Sequence, residues 1–380
     1  MSKTYDAIVL GTGGVGSAAL FHLARRRLRV LGIDRFMPGH DRGSSHGETR
    51  IIRQAYFEHP DYVPLLLRAY QLWAELEELT GEKLFHQVGL LQVGPRDGAV
   101  VSGVLRSAEQ HGLMVEKLTA GEAERRFPGF VVPAELVGVF EPKAGYLLVE
   151  NCVLTHLKAA INHGAEHLTE TTVTSWRAEG SGVAVTTDRG EFRAGRLIIS
   201  PGAWAGELLS SLHIPWEVRR KHVYWYSPVA REYQAAEGCP TFLYELPDGV
   251  FYGFPSISTH GLKCGEHSGG AIVADPTTDP RSFDSIDYQR VSTFMTSYLP
   301  GAGRQRSQHS VCFYTMTPDE HFIVDRHPNY SQVALTAGLS GHGFKFSGVL
   351  GLALADFAIT GNTSLPVDFL SLSRLQPNRS

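Results

Sequence analysis

DAIVLGTGGVG, residues 6–16, is the stretch on which the fold turns. The apolar run Asp6 to Leu10 stops at a cluster of glycines, which reads as a short buried strand entering a turn. Small and apolar residues then dominate from Val15 to Arg27, and RVLGID (29–34) reads as a second strand. Strand, glycine turn, helix, strand is a βαβ unit. GTGGVG carries the GxGxxG spacing. Gly11 permits the tight turn, Gly13 lets a pyrophosphate approach the backbone, and Gly16 lets the helix close on the strand. The helix start offers free N–H groups to phosphates. Asp34 closes the second strand 21 residues after Gly13 (34 − 13), where a carboxylate can accept both hydroxyls of an adenosine ribose. These residues predict a dinucleotide site without separating NAD from FAD.

Outward from this unit, the 380 residues suffice for one large domain or two ordinary ones. A hydrophobic content of 43%, with 19% charged residues, is that of a globular chain rather than a disordered one. The net charge of −4 and the lack of a basic cluster beyond Arg25 to Arg27 argue against nucleic acid as a partner. That RRR run reads as a helix C-terminus, where cations meet the negative end of the dipole. The four cysteines are dispersed without a CxxC, so neither a zinc site nor a disulfide framework is expected. MSKTYDAIVLG leaves no room for a signal peptide, no apolar run approaches a membrane span, and LQPNRS is no peroxisomal or retention signal. The expected location is the cytoplasm.

Tyr62 to Thr80 repeats apolar residues at Leu66, Ala69, Trp73, Leu76 and Leu79, and Gly81 follows as a stop, so a helix is predicted. HQVGLLQVG (86–94) reads as a strand, TAGE (119–122) as a capping box, and Val149 to His163 as a helix. Alternating strands turn at Asp188–Gly190 and lead into RLIIS (196–200). After Pro215 the aromatic strands HVYWYSP, TFLYELP and GVFYGFP resemble a half-buried antiparallel sheet. The tail returns to strand, glycine turn and helix. The expected architecture is therefore α/β (α+β with two domains): a Rossmann-like nucleotide domain from 1–82, 145–215 and 316–380, and a substrate domain with a mostly antiparallel sheet from 83–144 and 216–315.

GSSHGETRIIRQAY (43–56) places Arg50 and Arg53 three apart, one face of a helical turn if the segment is helical. Two cations beside buried isoleucines need anions: a substrate carboxylate, or a structural pair with Glu48 or Glu58. In LSGHGFKFSG (339–348), Gly341 and Gly343 make a turn before a helix starting near Lys345. A lysine at a helix start is unfavourable unless an anion is present. Cys312, within HSVCFYTM, reads by itself as a small core residue.

Together these segments resemble the monomeric sarcosine oxidase and N-methyl-tryptophan oxidase family of D-amino-acid-oxidase-like flavoenzymes. The matching pieces are GTGGVG, GSSHGETRIIRQAY, YVPLLLRAYQLW, LIISPGAW, YGFP with LKCGEH, CFYTMTPDEHFIVD and LSGHGFKF, spread from residue 5 to about 375. The resemblance implies FAD held covalently, with Cys312 at the position joined through sulfur to the flavin 8α-methyl. It implies Lys263 as the lysine that promotes reaction with oxygen, Arg53 and Lys345 as the carboxylate clamp, and Arg50 close to the flavin ring. Tyr252 and His267 match polar residues of the substrate cavity, and Val173 the strand end that meets adenine. Ser44 and Thr49 in the cationic loop, with Gly341, Gly343 and Lys345, are expected around the cofactor. Ser45 departs from the family, whose familiar members carry histidine there. The implied reaction oxidises the C–N bond of N-methyl amino acids with O2, yielding formaldehyde, the demethylated amino acid and peroxide. The implied partners are an amino-acid substrate and O2, with no metal and a monomeric chain. Cyclic secondary amino acids (pipecolate or proline) are an alternative substrate class. An NAD(P)-dependent dehydrogenase or a non-catalytic flavin-binding protein would use the fingerprint but leave Cys312 and the HGFK turn without roles.

Overall fold

The computed structural model describes residues 4–375. Residues 1–3 and 376–380, on which parts of the targeting expectations rest, lie outside them. The opening unit forms as read: strand Thr4–Leu10, helix Gly14–Ala24, strand Val30–Ile33. A Cβ on Gly16 would stand 1.8 Å from the Gly11 carbonyl oxygen, and one on Gly11, at φ +78°, 2.2 Å from that of Ser200. Both positions exclude every other residue type.

These strands belong to an eight-stranded sheet. Thr4–Leu10 pairs in parallel with Val30–Ile33 on one side and Gly190–Ile199 on the other. Gly190–Ile199 also carries Tyr330–Ala337 in parallel, and Glu166–Leu168 extends the far side. Where these strands pair in parallel their central residues, 8–10, 31, 33, 197–199 and 333–335, are apolar and buried because both faces are covered. Helices Gly14–Ala24, Val149–Asn162 and Ser347–Thr360 pack together over one face. Gly351 allows a close crossing of Ser347–Thr360 over Gly14–Ala24, since a Cβ there would lie 2.6 Å from the Ala19 nitrogen. All the parallel strands end on the same side, where open α/β sheets bind their ligands.

A second sheet of eight strands is antiparallel except where Thr241–Leu246 runs parallel to Leu90–Gly94. Its central strands are buried on both faces rather than half-buried. Tyr224, Tyr226, Phe242, Phe251 and Cys264 pack with helix Ser285–Tyr298. The alternate residues, including Leu243, Tyr252 and Phe254, face the interior between the two sheets. A small three-stranded sheet of Thr49–Ile52, Gly145–Leu148 and Phe85–His86 joins the layers.

Three expectations need correction. The strand read over 86–94 is interrupted at Gly89 (φ +78°), so Phe85–His86 and Leu90–Gly94 join different sheets. Leu66, Ala69, Trp73 and Leu76 of helix Tyr62–Thr80 are buried as read, together with Leu65 and Leu72, whereas Leu79 is 54% exposed. Arg50 lies in a strand, not on a helical turn, and Arg53 follows just after that strand ends at Ile52. The capping box forms as expected, Thr119 accepting from the Glu122 amide and Glu122 from the Thr119 amide. Gly81 closes its helix at φ +73°.

Candidate active site

A long cleft runs from the ends of the parallel strands to the inner face of the second sheet. At one end Gly11, Gly13, Asp34 and Val173 line it. At the other are Arg50, Arg53, Tyr252, His267, Tyr314 and Lys345. Ser44, Gly341 and Gly343 lie between. Gly16, Thr49, Lys263 and Cys312 are buried and do not line the cleft themselves.

The nucleotide end is organised by Asp34. One carboxylate oxygen accepts from the Thr12 amide at 2.7 Å and the Thr12 hydroxyl at 3.1 Å, and the other from the Phe36 amide at 3.0 Å. Ser45, the departure in the cationic loop, accepts from the Gly14 amide at 3.2 Å, at the helix start. Two hydroxyls that sequence reasoning missed also line the cleft. Thr336 Oγ1 and Ser347 Oγ are buried and have no hydrogen-bond partner among the described residues. Buried hydroxyls are rarely left unpaired, so a polar ligand in the cleft is the expected partner. The open backbone at Gly13, the helix start, Asp34 and these hydroxyls together fit an adenine dinucleotide cofactor.

Arg50 donates to the carbonyls of Ser44 and Thr49, each at 2.8 Å, and no carboxylate among the described residues pairs with it. Ser44 in turn donates to the Phe313 carbonyl at 2.5 Å, tying the loop to strand Arg306–Met316. Cys312 and Tyr314 share a face of that strand, and Lys221 is the cross-strand partner of Cys312. Cys312 is a free thiol with 3% exposure.

Lys263 points to the opposite face from Cys264, which sits in the aromatic core. Its ammonium donates to the Gly47 carbonyl, the Thr49 carbonyl at 2.9 Å and the Thr49 hydroxyl at 3.2 Å, over the Phe254 ring. Burial, with Arg50 nearby, holds its pKa well below the usual lysine value. Thr49 therefore serves Lys263 in this structure.

Arg53, Glu58, His342 and Lys345 form a buried charged cluster. Both oxygens of Glu58 accept from Arg53, at 2.7 and 2.8 Å, so of the two acids offered by the sequence Glu58 is the partner. Glu48 instead accepts from the Trp225 indole at 2.8 Å. Lys345 is 5% exposed and donates to the His342 carbonyl at 2.7 Å, which excludes a surface lysine. It lies in the 3-10 turn Phe344–Phe346, ahead of helix Ser347–Thr360. Burial, reinforced by repulsion from Arg53, lowers its pKa to about 7, with Glu58 opposing. Against burial, Arg53 draws Glu58 down to about 2, and burial lowers His342 to about 4. Two cations and one carboxylate leave this pocket an anion short at pH values where Lys345 is charged.

His342 was missed in the sequence reading, although it stands in the LSGHGFKF turn. Its Nδ1 lies 2.6 Å from the Tyr56 hydroxyl. Glu141 was missed entirely: 1% exposed, it accepts from the amides of Gln54 at 2.5 Å and Ala55 at 3.2 Å, immediately after Arg53. Burial pushes its pKa up to about 7. On the second-sheet side, burial lowers His267 to about 3, and its Nδ1 lies 3.3 Å from the Tyr314 hydroxyl. Tyr252 is raised by burial. Both groups are therefore neutral at ordinary pH.

Residues 6–357 match the family described as FAD dependent oxidoreductase, DAO. The chain belongs to that family. It is 41% identical over 379 residues to monomeric sarcosine oxidase of Arthrobacter sp. (strain TE1826), covering 98% of this chain and 97% of that protein. It is 40% identical over 374 residues to N-methyl-L-tryptophan oxidase of Yersinia pestis (strain Pestoides F), covering 98% and 100%. Among solved structures, the open form of NikD, an unusual amino acid oxidase essential for nikkomycin biosynthesis, superposes with a TM-score of 0.85 at 25% identity over 97% of this chain and 98% of that one. Glycine oxidase from Geobacillus kaustophilus shares the fold, with a TM-score of 0.82 at 22% identity over 98% and 100%. Membership of the DAO family makes the dinucleotide FAD and sets the nicotinamide alternative aside. No helix among the described residues is long and apolar enough to cross a membrane.

Proposed function

We propose that this DAO-family chain is a monomeric cytoplasmic oxidase of N-methyl amino acids, of the sarcosine or N-methyl-L-tryptophan type. The observation that carries the reading is the pair of buried cations, Arg53 and Lys345, at the end of the cleft away from the nucleotide fingerprint. A carboxylate docked there balances their charge and fixes the α-carbon and amine against the inner wall of the second sheet. Tyr252, Phe254 and Leu243 on that wall exclude water, and a dry cavity with cations favours the neutral amine over the ammonium. Neutral His267 and Tyr252 can hydrogen-bond that amine without adding charge. Bound FAD supplies the two-electron acceptor for the C–H bond next to nitrogen, and O2 accepts those electrons in turn as H2O2. Hydrolysis of the oxidised substrate then gives formaldehyde and the primary amino acid.

In this reading Gly11, Gly13, Gly16 and Asp34 hold the adenosine and pyrophosphate, with Val173 at the adenine and Ser44, Thr336 and Ser347 along the cleft. Arg50, Gly341 and Gly343 lie beside the flavin ring. Lys263, whose charge burial disfavours, gains most from an anion developing during oxygen reduction. Cys312 is the thioether attachment point, supported by its place on the Tyr314 face of the strand that flanks the cleft. The segments 1–82, 145–215 and 316–380 make the FAD domain, and 83–144 with 216–315 the substrate domain, a division that the two large sheets support.

A peroxide-coupled screen with sarcosine, N-methyl-L-tryptophan, L-pipecolate and L-proline tests the function. At least one of the two N-methyl compounds is expected to release peroxide faster than either cyclic one. A yellow protein that releases none from any secondary amine would refute the reading. Acid precipitation tests the linkage separately: the colour stays with wild-type protein and is released from Cys312→Ala.

A further inference from the structure

Phe57 borders the cleft beside the carboxylate pocket, half-buried, on a backbone that is closely packed from behind. The Arg53 guanidinium carbon lies 4.4 Å from the centre of its ring and 4.1 Å from that of Tyr56. Behind it, helix Ala99–His111 presses on the backbone at Gly103. A Cβ at Gly103 would stand 2.5 Å from the Phe57 carbonyl oxygen and 2.8 Å from its Cα. Ser107 of the same helix donates to the Tyr56 carbonyl at 2.5 Å. Glu141 holds the amides of Gln54 and Ala55. The segment from Arg53 to Glu58 is thus pinned from behind at several points. Cores packed this closely do not yield by small amounts.

The α-carbon of an amino acid is bonded directly to its carboxyl carbon. A carboxylate anchored on Arg53 and Lys345 therefore leaves the α-substituent only two bonds from the anchored carbon, on the side of the pocket where Arg53 and its packing partners lie. The partner at the cleft is Phe57, which packs in one apolar cluster with Leu243 and Tyr252, all three lining the cleft. We infer that Phe57 is a specificity-determining residue that restricts this site to N-methyl amino acids with little or no side chain, sarcosine before N-methyl-L-tryptophan. The inference rests on the carboxylate-anchored oxidase reading above and adds to it the size class of the substrate. A ring carried on a backbone held this way excludes bulk more strictly than one on a mobile loop, because overpacking must be met by distortion elsewhere.

The test compares wild-type holoenzyme with Phe57→Ala and Phe57→Leu. Wild type should favour sarcosine over N-methyl-L-tryptophan in kcat/KM, and Phe57→Ala should shift that ratio toward N-methyl-L-tryptophan by about tenfold or more, the scale of one side chain's worth of pocket. Phe57→Leu, which keeps apolar packing on the helix, should fall between. The ratio is the readout because loss of the ring on Arg53 weakens all carboxylates together. Calorimetric Kd values for acetate and indole-3-acetate on the same three proteins give a second readout that needs no turnover. Indole-3-acetate should gain on acetate in Phe57→Ala. Wild-type preference for N-methyl-L-tryptophan, an equal change for small and large compounds in both variants, or failure of both carboxylates to bind overturns the inference. If neither amine is oxidised while the Kd ratio shifts as expected, the oxidase reading falls and the role of Phe57 stands.

Discussion

Lys345 should take up a proton when a carboxylate enters the site, and the amount follows from its surroundings. Burial and Arg53 hold its pKa at about 7. A lysine with that value is about one-half charged at pH 7 and about one-tenth charged at pH 8. An adjacent carboxylate favours the charged form and returns the pKa toward the ordinary value of about 10.4, so the bound form is fully charged. Binding should therefore absorb about 0.1 proton at pH 6, about 0.5 at pH 7 and about 0.9 at pH 8. Over the same range the affinity should weaken by about tenfold between pH 6 and pH 8, because the empty site must first be protonated. Glu58 at about 2 and His342 at about 4 do not titrate in this window. Calorimetry with acetate in phosphate and in Tris, which differ in ionisation enthalpy, counts the protons. Lys345→Met should reduce the count at pH 8 nearly to zero. Glu141 also titrates near 7 and lies behind Arg53, so the comparison must include Glu141→Gln. An uptake that survives in Lys345→Met and vanishes in Glu141→Gln would refute the assignment, as would no uptake at all in wild type.

Lys263→Met should slow flavin reoxidation far more than flavin reduction in stopped-flow measurements. Equal slowing of both half-reactions would remove Lys263 from the oxygen step. The same variant leaves the Gly47 and Thr49 carbonyls without their ammonium donor, so a stability loss of about 1–3 kcal/mol should appear in denaturant titrations. Glu141→Gln should change the pH dependence of stability in a direction fixed by linkage. The folded pKa, about 7, lies above the ordinary carboxylate value, so wild type loses this contribution as pH rises toward 7. The variant should show a flatter melting profile between pH 5 and 7, and an unchanged slope would contradict the burial argument. It should also raise KM more than it lowers kcat, since the amides it holds position Arg53 rather than touch substrate.

How much of this was legible from the chain alone depends on the range of the interaction. Gly11, Gly13, Gly16 and Asp34 announced themselves because a tight turn, a helix start and a strand end lie within about thirty residues and obey local geometry. The helix over Tyr62–Thr80 and the capping box at Thr119 were readable for the same reason. Local rules failed at Arg50 and Arg53, where a helical spacing was read into a segment that pairs as a strand with Gly145–Leu148. The pairing partner lies almost a hundred residues away, and nothing in GSSHGETRIIRQAY specifies it. The sequence offered Glu48 and Glu58 equally as partners of the arginines, and only the folded chain turned Glu48 to Trp225 and Glu58 to Arg53.

By itself, then, the sequence determined the nucleotide fingerprint, the alternation of element types and, through resemblance, the family. Those properties rest on short-range sterics and on residue types that tolerate few substitutes. The tertiary structure decided which charges meet. It buried Lys345 beside Arg53, set Glu141 under the Arg53 segment, and pressed Gly103 against Phe57. Each of these depends on burial and on contacts between distant segments. Burial sets the pKa of Lys345 and Glu141, close packing holds the backbone at Phe57, and both are properties of the packed layers rather than of any local run of residues.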